Sequence, residues 1–589
     1  MRIPAMEAVV KVLESEGVEY AFGIPGAAIL PMYDALQKSR IKHLTVRHEE
    51  GATHAADGYA RATGKVGLAI GTSGPAGTNM ITGLYTALAD SIPIICVTGQ
   101  AQKAVLHKEA FQAVDIVEIA KPVAKWAVQV KETAQLPWVF RKAFQIAREG
   151  RPGPVLIDLP VDVQRGEIEY FEKLDEPLPV TRPAPTAGRV EHAMDMLLSA
   201  ERPLILAGGG VIISEAGKEL LALAEHLQVP VSPTLMGKGA IPEDHPLYAG
   251  IVGIQTQQRF ANQIFLESDL VLAVGARFAD RHTGALDVYR GTRRFIQVDI
   301  EPTQIGRVFE PDLGIVGDAK TVLGAMAEEA RNRLPSRRLP SRGRAGAWVE
   351  RARELKQTLP RRMDFDDVPL KPARVFKEIN EFFDPDTIFV TAIGLYQIWS
   401  GQFQNTYKPR HYLVCGQAGP LGWEVPACIG VKLGRPDKEV VAIVGDYSFQ
   451  FLMEEVAVAA QYDVPFLIVM LNNSNLGLIR QSEMGYGMEY AIDLGYDAGV
   501  GEEAGIDHVR LMEAMGCTAR RVETPAAIAE ALAWGRQQTV LTGRPCLVEI
   551  MIERNANAAM GLAIDKIREF EELPAPIEPD AALVRVPAG

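Results

Sequence analysis

The chain has 589 residues, 47% of them hydrophobic and 23% charged, which is too long for one core and predicts roughly three or four domains of a globular protein. A formal net charge of −13 argues against nucleic acid or an anionic membrane surface as partner. Five well-separated cysteines without a CxxC offer neither a disulfide framework nor a zinc site, and suit a reducing, cytoplasmic setting.

The opening "MRIPAMEAVVKVLESEGVEY" carries four glutamates on an amphipathic helical period and does not read as a signal peptide. The longest apolar runs, such as "VPFLIVML", have strand length and are too short to span a bilayer. Candidate strands follow in three groups. The first is "EYAFGI", "HLTVRH", "VGLAIGTS", "IPIICVTG" and "GPVLIDLP"; the second "RPLILAGGG", "VPVSPTL", "LVLAVGAR" and "RRFIQVDI"; the third "TIFVTAIG", "EVVAIVGD", "PFLIVMLNN" and "RPCLVEIMI". Helical patterns separate them, as in βαβ units, and runs apolar on both faces suit parallel sheets covered on both sides.

Two proline-rich breaks, 171–189 and 332–346, divide the groups. The expected architecture is α/β, with three doubly wound parallel-sheet domains: 1–170, 190–332 and 365–556, followed by a tail over 557–589.

Three stretches carry chemistry. The run "RHEEGATHAADGY" places Glu49 and Glu50 at a helix start, where acids favour the helix dipole. One of them is also a candidate for a carboxyl held out of water to move a proton. His48 and His54 lie six apart, share no helical face and do not form HExxH. In the third group "VVAIVGD" ends in Gly445 and Asp446, and 27 residues later, after one more strand, comes Asn473. That interval is one βαβ unit, so both side chains reach the same edge of neighbouring strands, where α/β sheets bind ligands. A carboxylate, an amide oxygen and a backbone carbonyl form the hard-oxygen set that Mg²⁺ prefers. In the second group "LAGGGVI" ends a strand in Gly208, Gly209 and Gly210, which permits either a tight turn or close approach of a diphosphate.

Gly-Asp followed at this interval by Asn-Asn resembles the diphosphate motif of thiamine diphosphate enzymes, with Tyr447 where the motif usually has glycine. Further segments, among them "FGIPGAAILP", "GTSGPAGTN", "TLMGKGAIPEDH", "TAIGLYQIW" and "CGQAGPLGWEVPA", are similar to the glyoxylate carboligase (tartronate-semialdehyde synthase) family, whose near relative is acetohydroxyacid synthase. The resemblance implies thiamine diphosphate, Mg²⁺ and a non-redox FAD as cofactors, glyoxylate as substrate, and at least a homodimer, with a homotetramer expected. It also implies roles by position. Asp446, Asn473 and the carbonyl of Asn475 would hold Mg²⁺; Gly394, Leu395, Gln397, Gly445, Tyr447 and Ser448 would contact a cofactor; Gly419 would accept from the 4′-amino group.

Glu49 would bind N1′ of the aminopyrimidine of a neighbouring subunit's cofactor, so that the 4′ nitrogen can take the C2 proton. Gly26, Gln112, Ile393, Leu421, Leu476 and Leu478 would line the reacting centre. Thr234, Leu235, Met236, Arg277, Asp299, Ile300 and Asp318 would join Gly208–Gly210 around FAD. One position departs from the family, because carboligases carry valine where this chain has Glu49. An acetohydroxyacid synthase chain using pyruvate is the alternative, and a flavin-dependent enzyme of the pyruvate oxidase kind a more distant one.

Overall fold

A computed structural model describes residues 1–171, 173–334, 344–497, 499 and 505–574. Its core is three parallel sheets. The first runs in the order Lys42–Thr45, Tyr20–Gly23, Gly67–Gly71, Ile94–Gln100, Val155–Pro160, Trp126–Gln129. The third repeats that winding with Tyr412–Val414, Ile388–Thr391, Val440–Gly445, Leu467–Asn472, Cys546–Met551 and Thr518–Val522. Between them in sequence lies a five-stranded sheet: Val231–Pro233, Pro203–Ala207, Leu270–Val274, Arg294–Asp299, Leu313–Val316. In every sheet the chain starts in the interior, steps to one edge and returns past its first strand. Each sheet therefore has a switch point where the loops diverge and a crevice opens at the carboxyl ends.

The central strands are buried along their whole length, as in Val155–Pro160 and Leu467–Asn472, because helices cover both faces. The strands absent from the sequence reading, Trp126–Gln129, Leu313–Val316, Tyr412–Val414 and Thr518–Val522, all sit at sheet edges. Thr518–Val522 (TARRV) is only half-buried and has no continuous apolar run.

Helix Glu49–Thr63 packs against helix Glu424–Gly434 and joins the first and third sheets in one core cluster. A β-carbon on Gly58 would stand 2.3 Å from the carbonyl oxygen of Ala427, and one on Gly430 would stand 1.9 Å from that of Ala55. The small-residue composition of "GATHAADGYARAT" is thus what lets the two backbones touch.

The expectation of a tail beginning at 557 needs correction. Residues Met560–Ala563 and Lys566–Arg568 pair as an antiparallel hairpin, and the Asn262 amide donates to the Ile564 carbonyl at 3.0 Å, so this stretch packs on the middle domain. Residues 575–589 of the expected tail and 335–343 of the second break lie outside the described residues. Residues 173–186 of the first break carry no helix or strand. Among the described residues no helix is long and apolar enough to cross a membrane.

Candidate active site

The third sheet brings the expected diphosphate residues to one edge. Gly445 pairs with Leu471, so Asp446 and Asn473 leave neighbouring strands at almost the same level. The two asparagines are separated by their partners. Asn472 is buried, donates to Glu549 at 2.8 Å and accepts from the Ser474 backbone N–H at 2.9 Å. Asn473 gives only its amide N–H to the Arg554 carbonyl, at 3.2 Å, which leaves its oxygen for a ligand. Ser474, with φ 50, turns the chain, and Asn475 follows with its side-chain oxygen buried and unpartnered.

Asp446 is 4% exposed, and burial pushes its carboxyl up to about 6, a cost that the charge of His508 offsets only in part. A cation beside Asp446 would relieve that cost. One carboxylate, one free amide oxygen and nearby carbonyls suit Mg²⁺, which keeps water and phosphate as its other ligands. Groups of three or more His, Cys, Asp or Glu able to hold a metal are absent among the described residues, so a closed protein-only metal site is not what this edge offers.

Leu395 packs where a β-carbon on Gly477 would stand, 2.7 Å away, and the Asn473 amide lies 2.9 Å from the same point. Gly419 takes φ 61, and a β-carbon there would lie 3.5 Å from the Ile393 side chain. Ile393, Leu421, Leu476 and Leu478 are half-buried, leaving an apolar surface beside the polar edge. Ser448 is oriented by structure, since its hydroxyl accepts from the Gly422 backbone N–H at 3.0 Å.

The sequence reading passed over two residues here. The Tyr396 hydroxyl donates to Glu424 at 3.2 Å, both are buried, and burial lifts the Glu424 carboxyl to about 7. They lie 28 residues apart in separate motifs, and no local pattern announces the pair.

The first sheet carries the other set. His48 caps helix Glu49–Thr63 by accepting the Glu50 N–H on Nδ1 at 3.1 Å, so its imidazole holds the helix start. Glu49, 9% exposed, accepts from the Asn79 amide on Oε2 at 2.9 Å, and Oε1 has no donor among the described residues. Glu50 pairs instead with buried His54 at 3.4 Å. Gly26 is extended, at φ −161, and its lack of a side chain admits Thr72, whose Cβ would lie 2.5 Å from an added β-carbon. Gln112, at φ 57, rests on the Gly74 turn.

The first domain also braces the loop that bears Gly419. Arg61 binds Asp57 at 2.6 Å and Asp90 at 3.0 Å, and Asp90 accepts from the Gly416 and Gln417 N–H groups at 2.9 and 3.1 Å. Among the described residues of one chain, no hydrogen bond or ion pair joins Glu49 to Asp446, Asn473 or Asn475.

The middle sheet's switch point opens into a cavity of about 690 Å³. Gly209, Gly210, Thr234, Leu235, Met236, Arg277, Asp299, Ile300 and Asp318 all line it. So does Gln397, which therefore faces this cavity rather than the edge that bears Asp446. Gly208 lies behind the lining, where a β-carbon would meet the Gly275 carbonyl oxygen at 2.1 Å. Arg151, Arg182 and Arg281 add cationic groups to the wall. Burial and the adjacent Arg277 depress the pKa of Arg151. Asp318 is committed to capping helix Ala319–Arg333 and to the Ser214 hydroxyl, at 2.7 Å. A glycine turn, arginines and an acid at a strand end suit the diphosphate and ribose of a dinucleotide, and the volume is that of a cofactor site.

Three thiamine pyrophosphate enzyme models match this chain: the N-terminal TPP binding domain over 3–119, the central domain over 190–326 and the C-terminal TPP binding domain over 392–550. The chain belongs to the thiamine pyrophosphate enzyme family. This family member is 50% identical to a glyoxylate carboligase of Escherichia coli O157:H7 over 577 residues, 97% of each chain. It is 41% identical to a probable acetolactate synthase large subunit of Methanocaldococcus jannaschii, across 93% of this chain and 91% of that one. It is 37% identical to an acetolactate synthase large subunit of Corynebacterium glutamicum, across 94% and 88%. The three matched segments each contain one of the three sheets' switch points, so the thiamine pyrophosphate enzyme family accounts for the repeated winding.

Proposed function

We propose that the protein is a carboligase that uses thiamine diphosphate and Mg²⁺ to convert two glyoxylates and a proton into tartronate semialdehyde and CO₂. The observation that carries this reading is the Asp446–Asn473 edge with its apolar flank, in a chain half identical to a glyoxylate carboligase along almost its whole length. When bound, thiamine diphosphate supplies a nucleophilic carbon and an electron sink for the carbon that loses CO₂.

The protein's part is to hold, orient and dry the site. Asp446, the Asn473 oxygen and the Asn475 carbonyl would hold Mg²⁺, and Gly445, Tyr447 and Gly394 would contact the diphosphate. Glu49, fixed through Oε2 by Asn79, presents Oε1 to the aminopyrimidine of a second copy's cofactor and holds the proton exchanged there. Ile393, Leu421, Leu476 and Leu478 exclude water from a step in which carboxylate charge leaves as CO₂. Gly26 and Gln112 close the site from the first domain. Because Glu49 and Asp446 serve different cofactors, the working unit is at least a homodimer, and a homotetramer is the expected assembly. Gly209, Gly210 and Arg277, which line the middle cavity, would hold the diphosphate of FAD, which would serve there as a structural group without redox turnover.

A second reading is acetohydroxyacid formation from pyruvate. It is favoured by Glu49, which the carboligase family replaces with valine, and by the relatives named acetolactate synthases. Product analysis separates the readings. Tartronate semialdehyde from glyoxylate supports the first, acetolactate from pyruvate supports the second, and bleaching of bound flavin by pyruvate would overturn both.

A further inference from the structure

The turn that delivers Glu49 is held from the opposite domain. Glu455, on helix Glu455–Gln461, is fully buried, and its Oε1 accepts the backbone N–H groups of Arg47 at 2.9 Å and His48 at 3.0 Å. The other end of that helix supplies the Tyr462 hydroxyl, which accepts the Thr45 N–H at 2.9 Å, and the Gln461 oxygen, which accepts Arg47 Nη2 at 2.6 Å. These donors precede a helix start, where no intrahelical acceptor exists for them. Gly51 makes the approach possible, because a β-carbon there would stand 2.5 Å from Glu455 Oε1. The second oxygen, Oε2, is buried without a partner. A carboxyl kept dry with only half of its acceptors used is costly to bury, and the two N–H groups are what it holds.

We propose that Glu455 is the positioning residue for Glu49: its carboxyl oxygen fixes the Arg47–His48 peptide groups and thereby the direction from which Glu49 enters the site. The role rests on the reading of Glu49 given above. Glu455 follows Asp446 by nine residues in the same chain. In the two-copy arrangement it therefore ties the carboxyl serving one cofactor to the segment that pins the other.

Reach and charge can be separated. Glu455→Gln keeps an oxygen at the same reach without the charge, whereas Glu455→Asp keeps the charge and is one methylene short. Two readouts apply: amide hydrogen exchange of residues 45–51 in the cofactor-free protein, and deuterium exchange at the cofactor's C2 in the loaded enzyme. E455Q is expected within about threefold of wild type in both, and E455D is expected to lose at least about tenfold in both while retaining thiamine diphosphate normally. Gly51→Ala, which pushes the carboxyl away, should repeat the loss.

Wild-type amide protection in E455D, or an E455Q defect as large as that of E455D, would overturn the proposal. Glu49→Gln serves as the separate control. If it leaves C2 exchange intact while E455D loses amide protection, the role of Glu49 falls and the hold of Glu455 on the turn stands.

Discussion

The Asn79 amide donates to Oε2 of Glu49 at 2.9 Å and is the carboxyl's side-chain hydrogen-bond partner among the described residues. One oxygen is thus anchored, and the other has no hydrogen-bond donor among the described residues. Asn79→Ala should lower C2 deuterium exchange about tenfold, the worth of one hydrogen bond, with cofactor retention unchanged. Exchange at the wild-type rate would show that the helix start alone orients Glu49.

Glu424 gives a pH signature. Burial pushes its folded pKa from the ordinary 4.5 to about 7, so between those values the unfolded chain releases a proton that the folded one keeps. The stabilising contribution of this group is complete below the lower value and is lost as pH rises through the upper one, to a total of roughly 3 kcal/mol. Glu424→Gln should therefore raise Tm relative to wild type at pH about 8 and change it little at pH about 5. A Tm difference that does not vary with pH would contradict the assignment.

The middle cavity depends on Gly208. Gly208→Ala places a carbon 2.1 Å from the Gly275 carbonyl oxygen, so the turn beneath Gly209 and Gly210 must shift. Bound flavin, followed by its visible absorbance, should fall at least about tenfold in occupancy. Full occupancy in this variant would place the dinucleotide elsewhere.

The contact between the two paired helices has no room for a methyl group. Gly430→Ala should cost about 2 kcal/mol, as overpacking does, and lower Tm while leaving the Asp446 edge unchanged. A neutral effect would mean that the helices separate more easily than a 1.9 Å clash between the added β-carbon and the Ala55 carbonyl oxygen implies.

The interior strands were legible because burial on both faces writes a continuous apolar run, as in "FLIVML" and "PVLIDLP". Trp126–Gln129 and Thr518–Val522 were not, since an edge strand packs on fewer neighbours and keeps polar residues. Asp446 and Asn473 could be placed together because one βαβ unit fixes their separation. Asn79, Glu424 and Glu455 could not. The Glu455 contact with Arg47 spans 408 residues, and only the docking of two complete domains creates it. Likewise, Gln397 sits in a motif of the third domain, yet domain packing turns it toward the middle cavity.

The central claim is that each active site takes Glu49 from one copy and Asp446 from the other. It is tested most directly by mixing two inactive variants, Glu49→Gln and Asp446→Ala, after dissociation and reassociation. Random pairing makes half of the dimers mixed, each with one intact site, so the mixture should recover about a quarter of wild-type activity. A mixture that stays as inactive as its parents, with subunit exchange verified, would contradict the shared site.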